Sequence, residues 1–179
     1  MAMVVALVSI SASAQQGEKA AGINLSYGTE HKALGIGVKG QYGITDAIRA
    51  EASFDYFLKK DGLSMWDINL NAHYLFSLSD KVKIYPLVGV TFTNWNYDYA
   101  DEIKDAMNQW GDYLGDEYKD YINDYADDAS GSESRFGVNV GAGIQYNLTD
   151  KLTLNLEGKY QIISDFDQTI FSIGVAYKF

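Results

Sequence analysis

Through most of this chain every second residue is apolar, and the residues between are small, polar or charged. Phe171, Ile173, Val175, Tyr177 and Phe179 end it in this way. Period-two alternation sends alternate side chains to opposite faces of a β-strand. Eight runs carry the pattern: 22–27, 34–42, 48–57, 66–76, 82–93, 135–146, 152–162 and 169–179. Most approach the roughly 9–11 residues with which a tilted strand crosses a bilayer.

Three of the gaps repeat one phrase: Tyr42-Gly-Ile-Thr-Asp46, Phe76-Ser-Leu-Ser-Asp80 and Tyr146-Asn-Leu-Thr-Asp150. Each sits between two alternating runs, where Ser, Thr and Asp can hydrogen-bond locally and shape a hairpin turn. The aromatic positions 42, 76, 146 and 179 lie 34, 70 and 33 residues apart, so one unit of about 34 residues carries an insertion. Each unit is two strands, and four units make an all-β, eight-stranded antiparallel up-and-down barrel. Short turns at one end alternate with longer connections at the other.

One set of alternating positions (Ile23, Leu25, Ile36, Val38, Phe54, Ile68, Leu70, Val140, Leu156, Ile173 and their kin) carries no charge in any run. The other holds Asn24, Lys39, Gln41, Arg49, Glu51, Asp55, Asp67, Asn69, His73, Asn139, Glu157 and Lys159. A soluble lipocalin-like carrier of the same length would also alternate, with its apolar face inward. The rings separate the two architectures. Run centres are aliphatic, whereas Tyr42, Tyr74, Phe76, Tyr146, Tyr177 and Phe179 lie beside the short turns, and Tyr27, Tyr56, Trp66, Phe92, Phe136 and Tyr160 toward the long connections. Two aromatic girdles around an aliphatic band are what a bilayer with two interfaces selects. The barrel is therefore read as transmembrane, with outer-membrane lipid against its outside.

Composition adds location. Val4–Ile10 is a short apolar core followed by Ala12-Ser13-Ala14, which predicts a signal peptide over 1–14 and a barrel domain over 15–179. No Lys or Arg precedes the apolar stretch, which points to a start codon further upstream. The absence of cysteine excludes disulfides and thiolate metal sites. Net charge is −10, and all of it lies between 94 and 133, where twelve acids face only Lys104 and Lys119. Nucleic acid, which needs the opposite sign, is excluded as a partner.

The signal-like start, the three turn phrases, the strand Tyr85–Phe92 and the aromatic end of Val-Ala-Tyr-Lys-Phe179 resemble the small eight-stranded outer-membrane barrels of Gram-negative bacteria, the OmpA-like and OmpX-like family. The resemblance covers nearly everything from Gly22 onward. It implies location in the bacterial outer membrane, a monomer, and recognition of the last strand by the barrel-assembly machinery through Ile173, Val175, Tyr177 and Phe179. Unlike OmpA itself, the chain stops at the barrel, and its third long loop is unusually long and acidic.

Fold leaves function open, so candidate chemistry comes from particular residues. Arg49, Glu51, Glu157 and Lys159 project inward and form lumen ion-pair candidates, either a satisfied polar plug or the gate of a narrow ion or solute channel. His31 and His73 have no Ser two residues on, and no catalytic, cofactor or metal site is expected. In the loop over 94–133, Ile103, Met107, Trp110, Leu114, Tyr118, Tyr121 and Tyr125 recur at helical spacing, broken by Gly111 and Gly115, so this third extracellular loop is expected to be partly helical. Trp110, Tyr113, Tyr118, Tyr121 and Tyr125 are its candidates for binding an extracellular protein or glycan. Asp124, Asp127 and Asp128 lack the ligand order of a specific calcium loop. A non-enzymatic structural, surface-contact or adhesion role is expected, with transport as the alternative.

Overall fold

A computed structural model describes residues 16–30, 32–98, 130–164 and 166–179. It contains strands β1 (Lys19–Gly28), β2 (Ala33–Gly43), β3 (Ile48–Lys60), β4 (Leu63–Tyr74), β5 (Phe76–Ser77), β6 (Val82–Asp98), β7 (Ser130–Asn147), β8 (Leu152–Ile163) and β9 (Gln168–Lys178). The two-residue β5 continues β4 beyond Leu75 against the same partner, β6, so the wall has eight staves. All pair antiparallel in sequence order, and β9 closes on β1 with Ile23 opposite Val175. Closure matters in hydrocarbon, where an open edge leaves backbone groups unpaired at several kcal/mol each.

The three repeated phrases form one turn three times. The N–H groups of Leu78 and Leu148 donate to the carbonyls of Val82 and Leu152 at 2.9 Å, and that of Ile44 to the carbonyl of Ile48 at 2.9 Å. In each turn the hydroxyl of Thr45, Ser79 or Thr149 accepts from the N–H three residues on, at 3.0, 3.1 and 3.0 Å. The conserved geometry belongs to the hydroxyl, not to the following Asp.

At the opposite end the strands run further than alternation predicts. The stretch expected to join the third and fourth runs, 58–65, is mostly strand: β3 and β4 continue, after an irregularity between Phe57 and Lys60, to a two-residue turn at Asp61-Gly62. Both turn residues have positive φ, +50° and +75°, the hairpin geometry that favours Gly at the second position. Likewise 94–98 and 130–133, placed in the acidic loop by sequence, are paired strand, up to Asp98 opposite Ser130. The helix expected in that loop, and the signal peptide, fall outside the described residues.

The faces are as alternation requires. Val38, Leu70 and Val140 point outward, 57%, 58% and 48% exposed, while Glu51 and Lys159 point inward at 3% and 5%. Outward rings form a row over four staves: Phe54 to Trp66, Trp66 to Phe92, and Phe92 to Phe136, at centroid distances of 6.1, 5.7 and 4.8 Å. Above this row polarity inverts. The outward positions become Asn94, Asn96, Ser132 and Ser134, and inward Trp95 and Tyr97 of β6 join Ala33, Phe57, Leu63, Met65, Phe166 and Ile170 in an apolar cluster, beside the Glu133–Arg135 ion pair on the inner side of β7. A wall with an apolar outside and polar inside is built for lipid, and the reverse is built for water, so the inversion marks the membrane surface. An arginine at Leu70 is accordingly expected to cost about 2–4 kcal/mol of unfolding free energy in lipid vesicles. Asn96→Arg, above the inversion, is expected to cost almost nothing. Equal losses in urea titrations of the two variants would contradict this placement.

Candidate functional site

The lumen holds the densest group of functional side chains, and alternation along the staves delivers them. Glu51 on β3 accepts from Gln41 Nε2 at 2.6 Å and pairs with Lys39 Nζ at 3.3 Å, both from β2. Its other oxygen lies 3.9 Å from His73 Nε2. Arg49 on β3 donates from Nε and Nη2 to His73 Nδ1, at 3.3 and 2.9 Å, and from Nη1 to Gln145 Oε1 at 2.6 Å. Tyr85 on β6 stacks on His73, with centroids 4.6 Å apart and planes 13° from parallel, lies 5.0 Å from the Arg49 guanidinium, and donates to Glu157 at 3.1 Å. Lys159 on β8 points into the same interior and is 5% exposed.

The four inward charges singled out from the sequence, Arg49, Glu51, Glu157 and Lys159, thus meet in one region, but none bonds directly to another. The direct partners are Lys39, Gln41, His73, Gln145 and Tyr85. Alternation placed Lys39, Gln41 and His73 in the same interior without indicating which would touch, because contact across a barrel depends on the stagger of its staves.

Above this layer lies one built mostly of side-chain amides around Asp67 and Asp55. Asn139 Nδ2 donates to Asn69 Oδ1 and Asn71 Oδ1, both at 2.9 Å, and Asn69 donates to Asp67 at 2.8 Å. Gln161 Nε2 donates to Asp67 Oδ2 at 3.0 Å, and Gln168 to Gln161 at 2.8 Å. Asn24 donates to Asp55. The column ends at its outer mouth in the apolar cluster around Phe57, Met65, Trp95 and Ile170, and a smaller apolar group, Leu75, Tyr85 and Leu87, lies at the level of His73. The outer cap is absent from the sequence analysis above, although Phe57, Met65 and Trp95 are large apolar residues in inward register, which is the signal that reveals it.

Glu51, His73 and Glu157 each bring one potential ligand atom within 4.8 Å of the others. The hydrogen bonding argues against a metal there. Guanidinium only donates, so His73 Nδ1 must offer its lone pair to Arg49, and the neutral ring then carries its proton on Nε2, the atom that faces the carboxylates. A metal ion on Nε2 would have to expel that proton or the arginine, and Lys39 and Arg49 already balance the two carboxylates. The Nε2 atom itself is buried and makes no hydrogen bond, its nearest carboxylate oxygen on Glu51 lying 3.9 Å away.

The remaining candidates lie elsewhere. Trp110, Tyr113, Tyr118, Tyr121 and Tyr125 fall outside the described residues. Ile173, Val175, Tyr177 and Phe179 lie on or just beyond β9 and face outward, Phe179 being 72% exposed.

The family model of the outer membrane protein beta-barrel domain matches residues 1–179. The chain belongs to this family. As a member it is a bacterial outer-membrane barrel, and its apolar outer wall lies against lipid. The barrel is similar in structure to the N-terminal β-barrel domain of Pseudomonas aeruginosa OprF, with a TM-score of 0.66 and 16% identity over 92% of this chain and 98% of that one. It is also similar to Ail, the attachment invasion locus protein of Yersinia pestis (0.58, 17%, 92% and 100%), and to Neisserial surface protein A (0.61, 14%, 90% and 96%). Comparison with curated proteins gave no match. At these identities the likeness to the solved structures is one of fold.

Proposed function

We propose that this outer-membrane barrel is a non-catalytic surface-contact protein, a rigid closed scaffold that holds its extracellular parts for an external partner. The observation that carries this reading is the filled lumen. Side chains bond to one another across it, and the Phe57–Met65–Trp95–Ile170 cluster caps its outer mouth, which leaves the extracellular end as the surface where binding can happen. The attachment invasion locus protein has been solved with a heparin analogue, sucrose octasulfate. In this chain the twelve acids against two lysines in 94–133 would repel a sulfated sugar, so the partner proposed here is a basic protein surface. The aromatic candidates Trp110, Tyr113, Tyr118, Tyr121 and Tyr125 would supply apolar contacts within that acidic field.

Transport remains the second reading because the lumen is lined with charge. Purified barrel in planar bilayers is expected to be electrically silent, and cells producing it are expected to lose adhesion to a matrix-protein surface when residues 98–128 are deleted. A steady open state whose conductance changes in Glu51→Gln would overturn the surface-contact reading in favour of a channel.

A further inference from the structure

On the lipid-facing wall the register of each strand pair sets outward side chains side by side in rows. One row is Ala142, Gly158, Phe171, Tyr27 and Leu34, each opposite the next, on β7, β8, β9, β1 and β2. The row below it is Ile144, Leu156, Ile173 and Leu25. Between the rows come Gly143, Glu157, Ser172 and Ser26, which belong to the inward set, so the wall shows lipid only their backbone there. That strip is the floor of an open groove of about 720 Å³.

Any two rows leave a furrow, and the missing bulk of Ala142 and Gly158, neighbours across β7 and β8, widens this one. A Cβ built on Gly158 meets only the Phe171 ring, at 3.5 Å, an ordinary contact. The groove also slopes. Leu34 is the second residue of β2, at the extracellular end, whereas Ala142 is the sixth from the short-turn end of β7. Residues in register lie across the strands, and the staves of such barrels tilt by about 35–45°. The furrow therefore descends from the outer ring girdle, at Tyr27, past the middle of the wall.

The groove is continuous with the surface that lies against lipid, so its occupant comes from the bilayer. A lipid chain hanging from the outer interface toward the midplane follows the slope. A second copy of the barrel fits less well. A two-fold dimer sets the same patch against itself, and groove against groove leaves a void whose lining forfeits its contacts.

We propose that this groove is a binding site for one acyl chain of an outer-leaflet lipid, a straight saturated chain with its upper carbons at Tyr27 and Leu34 and its methyl end at Ala142 and Gly158. A cis double bond would bend the chain out of the furrow. Lipid tails are as apolar as the wall, so packing rather than escape from water supplies the preference. The floor is the backbone of a closed sheet, which makes the groove preformed and spares the barrel any ordering cost. The site is independent of the surface-contact reading, which concerns the extracellular end.

The test places the full chain in nanodiscs doped with a phospholipid whose saturated chain carries a diazirine, and maps the adducts by mass spectrometry after illumination. Labelling of the groove is expected to exceed that of Ile68 and Leu70, equally exposed to lipid on the opposite wall, by roughly fivefold, the scale of a packing preference. A diazirine near the headgroup is expected to mark Tyr27 and Leu34, and one near the methyl end Ala142 and Gly158. Gly158→Leu and Ala142→Leu each fill the gap. Both are expected to bring groove labelling down to the level of Ile68 and Leu70 while keeping the heat-dependent gel shift of a folded barrel. A chain kinked by a cis double bond is expected to label the groove as weakly as those variants do. Even labelling around the barrel, labelling that survives both substitutions, or equal labelling by straight and kinked chains overturns the proposal. The reverse order of headgroup and methyl-end adducts also overturns it, by assigning the groove to the inner leaflet. Barrel-to-barrel cross-links through Phe171 or Ile173 that Gly158→Leu abolishes would overturn it too, by making a second copy the occupant.

Discussion

Replacing Glu51 with alanine is expected to lower the unfolding free energy of the barrel by about 3–5 kcal/mol, the cost of leaving a buried partner charge uncompensated. Glu51 is 3% exposed and is the carboxylate that Lys39 Nζ, also buried, approaches at 3.3 Å. It also accepts from Gln41 and faces His73. Its loss strands the ammonium beside Arg49 and unties the amide in the same step. The pair as a whole adds much less than this figure, because each ion loses hydration on burial. Hence Lys39→Met combined with Glu51→Leu is expected to restore most of the stability lost in Glu51→Ala. Urea titrations in lipid vesicles, followed by tryptophan emission, measure both. A loss below about 1 kcal/mol in Glu51→Ala would mean that water screens the lumen as it screens a surface pair. That outcome would revive the channel reading.

Gly143→Val is expected to cost roughly 3 kcal/mol or more, at the upper end of what overpacking does to a filled interior. A Cβ at this position falls on the ring of Tyr85. That ring is held from every other side: it stacks on His73, lies against Arg49, and donates to Glu157. It cannot give way without dismantling the charged layer. The cause is specific, so the test is a double-mutant cycle. In a Tyr85→Ala background the space above residue 143 is open, and Gly143→Val is expected to lose most of its effect. Additive losses would show that the glycine is required for backbone reasons and that the ring is incidental.

Both predictions concern residues that the sequence places in the interior without saying what they touch. Alternation assigns a side of the wall to each residue, because successive Cβ atoms of a strand point to opposite faces whatever the neighbouring strand is. That is why Glu51 and Lys159 could be put inside, and Val38, Leu70 and Val140 outside, from a string of letters. Aromatic sorting added the solvent, since a lipocalin-like core has no reason to gather rings at its two rims. The Thr45, Ser79 and Thr149 turns were legible because their bonding is local, closed within three residues.

Height was harder to read. The end of apolar alternation near Thr93 and Arg135 is the end of the bilayer, not of the strands, and β6 and β7 continue into water with the two faces exchanged. Asp61-Gly62 is a strong hairpin signal, yet Phe57, Leu63 and Met65 near it disturb the alternation, because at this height the inward side chains turn apolar and cap the lumen.

The sequence by itself determined the number of staves, the two faces, the medium on each side and the turns at the short end, since each follows from the period of a strand or from bonds between near neighbours. Only the tertiary structure decided that Lys39 rather than Lys159 meets Glu51, that His73 stands between Arg49 and Tyr85, that Trp95 caps the lumen, and that β7 rises past β8. All four depend on how far each stave is shifted along its neighbour, a quantity set by hydrogen bonds between residues far apart in the chain.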